Sequence, residues 1–218
     1  MDQDMLRKII QNILDKIDLS YLIILILSLM LHEIAHGFAS YKLGDLTAKN
    51  DGRLSLNPLR HIDPIGFILM MTYHFGWAKP VMINPYNLKN PKKDMAIISL
   101  AGPVANFILS ILFFIPMFAL QAVMPAYFTV FFEQGFFLNI SLAVFNMLPA
   151  PPLDGSKVFG SFLPDRVYYK VVHSNPRICM AVLLLLSFTG YLSKIIEPIL
   201  YGVFNLYFFT ASLIAGLL

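Results

Sequence analysis

The residues best suited to chemistry are the two histidines and the glutamate in the run His32-Glu33-Ile34-Ala35-His36. On a helix, positions i and i+4 lie one turn apart on nearly the same face, so both imidazoles can reach one metal ion. Glu33 then stands beside the ion without having to bind it, placed to accept a proton from bound water. With five histidines and three glutamates in 218 residues, a shuffled chain would hold this pattern only about 0.0015 times. A zinc ion that works on water needs a third protein ligand and an open fourth position. Asp154 is the candidate for the third ligand, in the run Asn146-Met147-Leu148-Pro149-Ala150-Pro151-Pro152-Leu153-Asp154-Gly155. Three prolines there must break a helix at the end of an apolar stretch. Such irregular backbone is tolerated at membrane depth only where it lines a cavity. A loop aspartate of this kind would alone be read as a helix cap; beside the His-Glu-His run it reads as a ligand.

The elements that carry these residues must sit in lipid. Hydrophobic residues make up 57% of the chain and charged residues 13%, a balance that leaves too much apolar surface for water to tolerate. The fold class expected is therefore an all-α polytopic membrane protein. Residues 21–43 form a first span that contains the metal-binding run, and ionisable groups inside a span mark function. Apolar stretches follow at about 95–120, 127–148, 178–192 and 195–217, with Glu197-Pro198 interrupting the last pair. The apolar run 64–78 is too short to cross and contains Pro64, Gly66, His74 and Gly76, so it reads as re-entrant or interfacial. The stretch 77–88, broken by Pro80 and Pro85, reads as extended. The expectation is a bundle of about five to six transmembrane helices with a re-entrant or short β element after the first span.

Three segments are expected: 1–19 as an amphipathic interfacial segment, 20–160 as the catalytic membrane core, and 161–218 as C-terminal hydrophobic helices. In the first, Leu6, Ile9, Ile10, Ile13, Leu14 and Ile17 share one helical face. Its four acids and three bases, with no small-residue site after the apolar run, argue against a cleavable leader. The single cysteine, Cys179, excludes an intrachain disulfide. Scattered basic residues and a net charge of +3 give no footprint for nucleic acid. Twelve of the sixteen basic residues fall in the segments 42–94 and 149–177, on one side of the bundle, which places the cytoplasm at the C-terminal end of the first span. His61, His74 and His173 read as surface or interfacial residues.

HExxH in one span and N-x-x-P-x-P-x-L-D-G at the end of a later one resemble the site-2 protease family of intramembrane zinc metalloproteases. Gly102-Pro103-Val104-Ala105-Asn106 matches that family's G-P-x-x-N element, and residues 52–66 (GRLSLNPLRHIDPIG) are similar to its short bacterial-type members. The resemblance covers about residues 20–160. It implies one zinc ion per chain, held by His32, His36 and Asp154, with Glu33 as general base and Asn146 helping to hold the substrate carbonyl. Gly102 and Asn106 would brace the site and let helices approach closely. At this length there is no room for the PDZ or nucleotide-sensing domain that many relatives carry.

The activity implied is hydrolysis of peptide bonds within or near transmembrane segments of other membrane proteins (regulated intramembrane proteolysis), by zinc-activated water with Glu33 as base. The partners expected are such a segment and the lipid bilayer, in a cell (inner) membrane with the active site nearer the cytoplasmic face. A helix hides its carbonyls, so the substrate must unwind, and the extended stretch 77–88 would offer it an edge for strand addition. A zinc carrier would have no use for Glu33, and a silent scaffold no use for the full ligand set.

Overall fold

The computed structural model describes residues 18–73, 78–120, 122–172 and 174–215. The amphipathic helix expected at 5–17, together with His74, Trp77 and His173, lies outside the described residues.

The first helix, α1 (Leu19–Lys42), starts where Asp18 caps it, its carboxylate accepting from Ser20 N at 2.9 Å and Tyr21 N at 3.5 Å. It ends at Leu43-Gly44, where Gly44 takes a φ of 105°. Two short elements, α2 (Thr47–Asn50) and a 3-10 turn at Pro58–Arg60, lead to α3 (Pro64–Tyr73). Asp63 caps α3, accepting from Ile65 N and Gly66 N at 3.0 and 2.9 Å. At ten residues α3 rises only about 15 Å, half of the roughly 30 Å that crossing requires. The rest of the run read as too short to span, 74–77, lies outside the described residues.

A 3-10 turn at Pro85–Asn87 corrects the reading of 77–88 as extended throughout. Residues 78–84 form neither helix nor strand and end in extended backbone at Asn84, and no β-strand occurs among the described residues. This segment is tied to the helices by side chains and loop carbonyls. Lys79 N donates to His61 O, Val81 N to Glu33 Oε2 and Asn84 N to Asp45 Oδ2, each at 2.9 Å. Asp45 also accepts from Ser40 Oγ, Thr47 Oγ1 and Asn87 Nδ2. Its burial favours the neutral acid, but the bonds from Thr47, Asn87 and Asn84 outweigh that and hold the carboxyl well below the usual carboxylate range. Asp45 thus anchors the extended segment to the end of α1.

Two long helices complete the centre of the bundle: α4 (Pro91–Ala119) and α5 (Ala126–Asn146). Beyond them come α6 (Asp154–Gly160), α7 (Asp165–Val172), α8 (Pro176–Phe188) and α9 (Tyr191–Ala215). One apolar core joins α1, α4, α5 and α9 through Ile24, Phe113, Phe114, Phe136, Ile140, Tyr207 and Ala211. The rings of Phe114, Phe136 and Tyr207 meet at centroid separations of 5.1 and 5.2 Å, in the tilted and edge-on arrangements aromatic rings prefer. This core fills one half of the bundle, and the polar site lies toward its other end.

Helices α1, α4, α5 and α9 are long and apolar enough to cross a membrane. At thirteen residues α8 rises about 20 Å and falls short alone. It forms a pair with α7 bent by 74°, and counting that pair as one span raises the total to five. The break between the last two apolar stretches lies at Thr189-Gly190, a few residues before the expected gap at 193–194. Gly190, with a φ of 73°, separates α8 from α9, and the interruption expected at Glu197-Pro198 does not occur because α9 continues through Pro198.

Candidate metal centre

α1 places His32 and His36 on the face turned to α4, and both are buried. Each ring is oriented by its Nδ1. His36 Nδ1 donates to Ile98 O at 2.7 Å. His32 Nδ1 donates to Asn106 Oδ1 at 2.6 Å. Ile98 and Asn106 both belong to α4, whose ladder lacks a donor at Pro103. With each Nδ1 occupied as a donor, a neutral ring keeps its Nε2 lone pair for a metal, and the two Nε2 atoms lie 3.0 Å apart.

Asp154 reaches the same point from the first residue of α6. The prolines at 149, 151 and 152 end α5 and turn the chain back, and Gly155 lets the new helix press against that end. A Cβ on Gly155 would lie 2.3 Å from Met147 O and 2.5 Å from Leu148 O. Asp154 Oδ2 then sits 3.3 Å from His32 Nε2 and 3.2 Å from His36 Nε2. Among the described residues this is the one group of three or more histidine, cysteine, aspartate or glutamate side chains that could hold a metal ion.

The donor set fits zinc. Bonds of about 2.0–2.1 Å at tetrahedral angles put ligand atoms roughly 3.3 Å apart, and the three edges here are 3.0, 3.2 and 3.3 Å. Two imidazole lone pairs and a carboxylate oxygen facing one another repel unless a cation lies between them. Two histidines with one carboxylate leave the fourth tetrahedral position open.

The site opens into a cavity of about 350 Å³ that is also lined by Glu33, Asn146, Val81 and Lys157. The Val81 N–H orients the Glu33 carboxylate. Asn146 Nδ2 donates to Leu142 O of its own helix at 3.0 Å, and an amide nitrogen has a second hydrogen to offer. Gly102 makes the close packing possible. A Cβ there would fall 2.3 Å from His36 Nε2 and 2.6 Å from His32 Cε1. His61 stands apart, buried in the 52–61 loop and donating from Nε2 to Ser55 O at 2.8 Å, which corrects its reading as a surface residue. Sequence reasoning singles out neither Lys157 nor Asn139, which backs Asn106. An asparagine in an apolar helix carries a signal of function only once the face it occupies is known.

A polytopic helical membrane protein with a buried His-His-carboxylate site and an adjacent glutamate is the architecture of a membrane metallohydrolase. Comparison with known proteins makes this specific. Residues 115–189, which include Asn146 and Asp154, match the model of peptidase family M50. The chain is 41% identical over 163 residues to a Bacillus subtilis protein named "Putative zinc metalloprotease YwhC", covering 71% of this chain and 74% of that one. It is 31% identical over 161 residues to the Mycolicibacterium smegmatis protein named "Putative zinc metalloprotease Rip2", covering 69% of this chain and 56% of the relative. It is 28% identical over 183 residues to "Zinc metalloprotease MJ0392" of Methanocaldococcus jannaschii, covering 84% and 46%. No solved structure matches. The chain belongs to peptidase family M50, the site-2 protease family of zinc metalloproteases.

Proposed function

We propose that this protein is an intramembrane zinc endopeptidase that cuts transmembrane segments of other membrane proteins, as in regulated intramembrane proteolysis. The observation that carries the reading is the convergence of Asp154, from α6, with His32 and His36 beside Glu33 on the apolar helix α1. Zinc held by those three side chains would supply an electrophile that polarises a peptide carbonyl and makes water acidic. Glu33, kept in place by the Val81 N–H, takes a proton from the attacking water and returns it to the leaving amine. The free amide hydrogen of Asn146 is available to the carbonyl oxygen as it gains charge. Leu29, Leu142, Phe145 and Leu183 give the cavity an apolar lining beside those groups.

The setting proposed is a cell (inner) membrane with the site nearer the cytoplasm. His36 is six residues from Lys42, or roughly 9 Å along the helix, which makes the water path short. The reading is tested with the purified full chain and a reporter containing one transmembrane segment. Cleavage is expected to stop when a chelator removes the metal and to return when zinc is added. Cleavage at an unchanged rate by metal-free protein would sink it.

The extended segment supports strand addition as the mode of substrate capture. Lys79, Val81 and Asn84 donate their N–H groups within the protein and Pro80 has none, so Met82 is among those left to offer a donor to an incoming chain. Met82 is exposed, and among the described residues its N–H has no partner. Met82→Pro is expected to slow reporter cleavage about fivefold, the worth of one hydrogen bond of ~1 kcal/mol. Full activity in a variant that binds zinc and melts normally would exclude this mode of capture.

A further inference from the structure

Asn139 lies midway along α5, fully buried, in a helix that contributes no proposed metal ligand. It is nonetheless connected to the site by a chain of directed bonds. Asn139 Nδ2 donates to Gly135 O at 2.9 Å. Asn106 Nδ2 donates to Asn139 Oδ1 at 3.0 Å, and Asn106 Oδ1 receives the His32 Nδ1 proton. Asn106 is fully buried as well, so no water can substitute for a missing partner without cost.

The direction of this chain follows from its far end. A backbone carbonyl can only accept, so Asn139 must turn its NH2 group toward Gly135 O. Its oxygen then faces Asn106, which must answer with its own NH2 group. That leaves only the Asn106 oxygen for His32, and His32 must therefore carry its proton on Nδ1. A carbonyl of α1, Ser28 O, also accepts from Asn106 Nδ2, at the longer distance of 3.3 Å.

We infer that Asn139 is a positioning residue for His32: through Asn106 it holds the imidazole in the Nδ1–H form, leaving the Nε2 lone pair aimed at the metal site. Without Asn139 only the longer bond to Ser28 O holds the Asn106 amide, which can then turn to present its NH2 group to His32 Nδ1. His32 would then carry its proton on Nε2, pointing at His36 and Asp154, where it blocks ligation. This inference rests on His32 being a metal ligand, and it makes no use of proteolysis.

The test uses the full-length protein, with zinc affinity measured by competition with a chromophoric chelator. The ring-nitrogen NMR signals of His32 are read in metal-free samples. Wild type is expected to show the Nδ1–H form. Asn139→Leu, which keeps the branched outline at a somewhat larger volume and removes both polar atoms, is expected to show an Nε2–H population and to bind zinc about tenfold more weakly, the range seen for partners behind metal ligands. Asn139→Asp still offers an oxygen to Asn106 and is expected to restore both readouts, even where its melting temperature falls as far as that of the leucine variant. An Nε2–H signal in metal-free wild type would overturn the proposal whatever the variants do. So would wild-type zinc affinity in a folded Asn139→Leu protein, or equal losses in the leucine and aspartate variants. Wild type that binds zinc in the Nδ1–H form yet cuts no reporter would count against the protease reading alone.

Discussion

Glu33→Gln is expected to lower reporter cleavage by about 10²–10⁴-fold while leaving the zinc content unchanged, because general acid–base catalysis contributes on that order. Glutamine has nearly the same shape, and its oxygen can still accept from the Val81 N–H, so the extended segment keeps its attachment. What is lost is the capacity to take a proton from water and hand it to the leaving amine. The group is not among the three converging ligand atoms, so metal binding has no reason to fall. Metal analysis and cleavage measured on the same preparation separate the two effects. A variant that retains zinc and more than a tenth of the wild-type rate would remove Glu33 from the role of base.

Gly102→Ala is expected to have the other large effect, this time on the metal. The new methyl carbon would stand 2.3 and 2.5 Å from two atoms of the His36 ring and 2.6 Å from the His32 ring. Both rings are held from the far side by bonds to α4 itself, at Ile98 O and Asn106 Oδ1, so they cannot retreat without breaking those bonds. Either α4 moves away from α1 or the two Nε2 atoms lose their convergence. Zinc stoichiometry is expected to fall below about a tenth of wild type, with activity falling alongside it. Gly202→Ala is the control, because nothing lies within 4 Å of a Cβ at that helical position. A Gly102→Ala protein with full zinc content would show that the helices can separate without disturbing the site.

Much of the site is legible in the amino-acid sequence. HExxH requires a helix to bring its histidines together, and the apolar residues around it require that helix to be a span. The prolines before Asp154 announce a break at the end of α5, and the chain does turn there. Other features are not legible, because they depend on how helices rotate against one another. Asn139 and Asn106 stand 33 residues apart on separate helices, and nothing local says that their amides meet. The same holds for the Glu33–Val81 bond, across 48 residues, and for Asp45, which ties the end of α1 to Asn84 and Asn87. Sequence alone reads Glu197-Pro198 as an interruption near the start of the last apolar stretch, because proline is a strong local signal. In the structure a positive φ turns the chain at Gly190, while α9 carries Pro198 inside it.

The sequence by itself determined the solvent, the rough limits of the four long apolar helices and the chemical types at the site, because composition and short-range spacing act within a single helix. It counted five to six spans where four helices, or five with the bent α7–α8 pair, are long enough to cross. Tertiary structure decided which atoms converge, which proton each imidazole holds and which backbone lies across the cavity. Those depend on close approach between α1, α4, α5 and α6, and distances between helices are set by packing over the whole bundle rather than by any one run of residues.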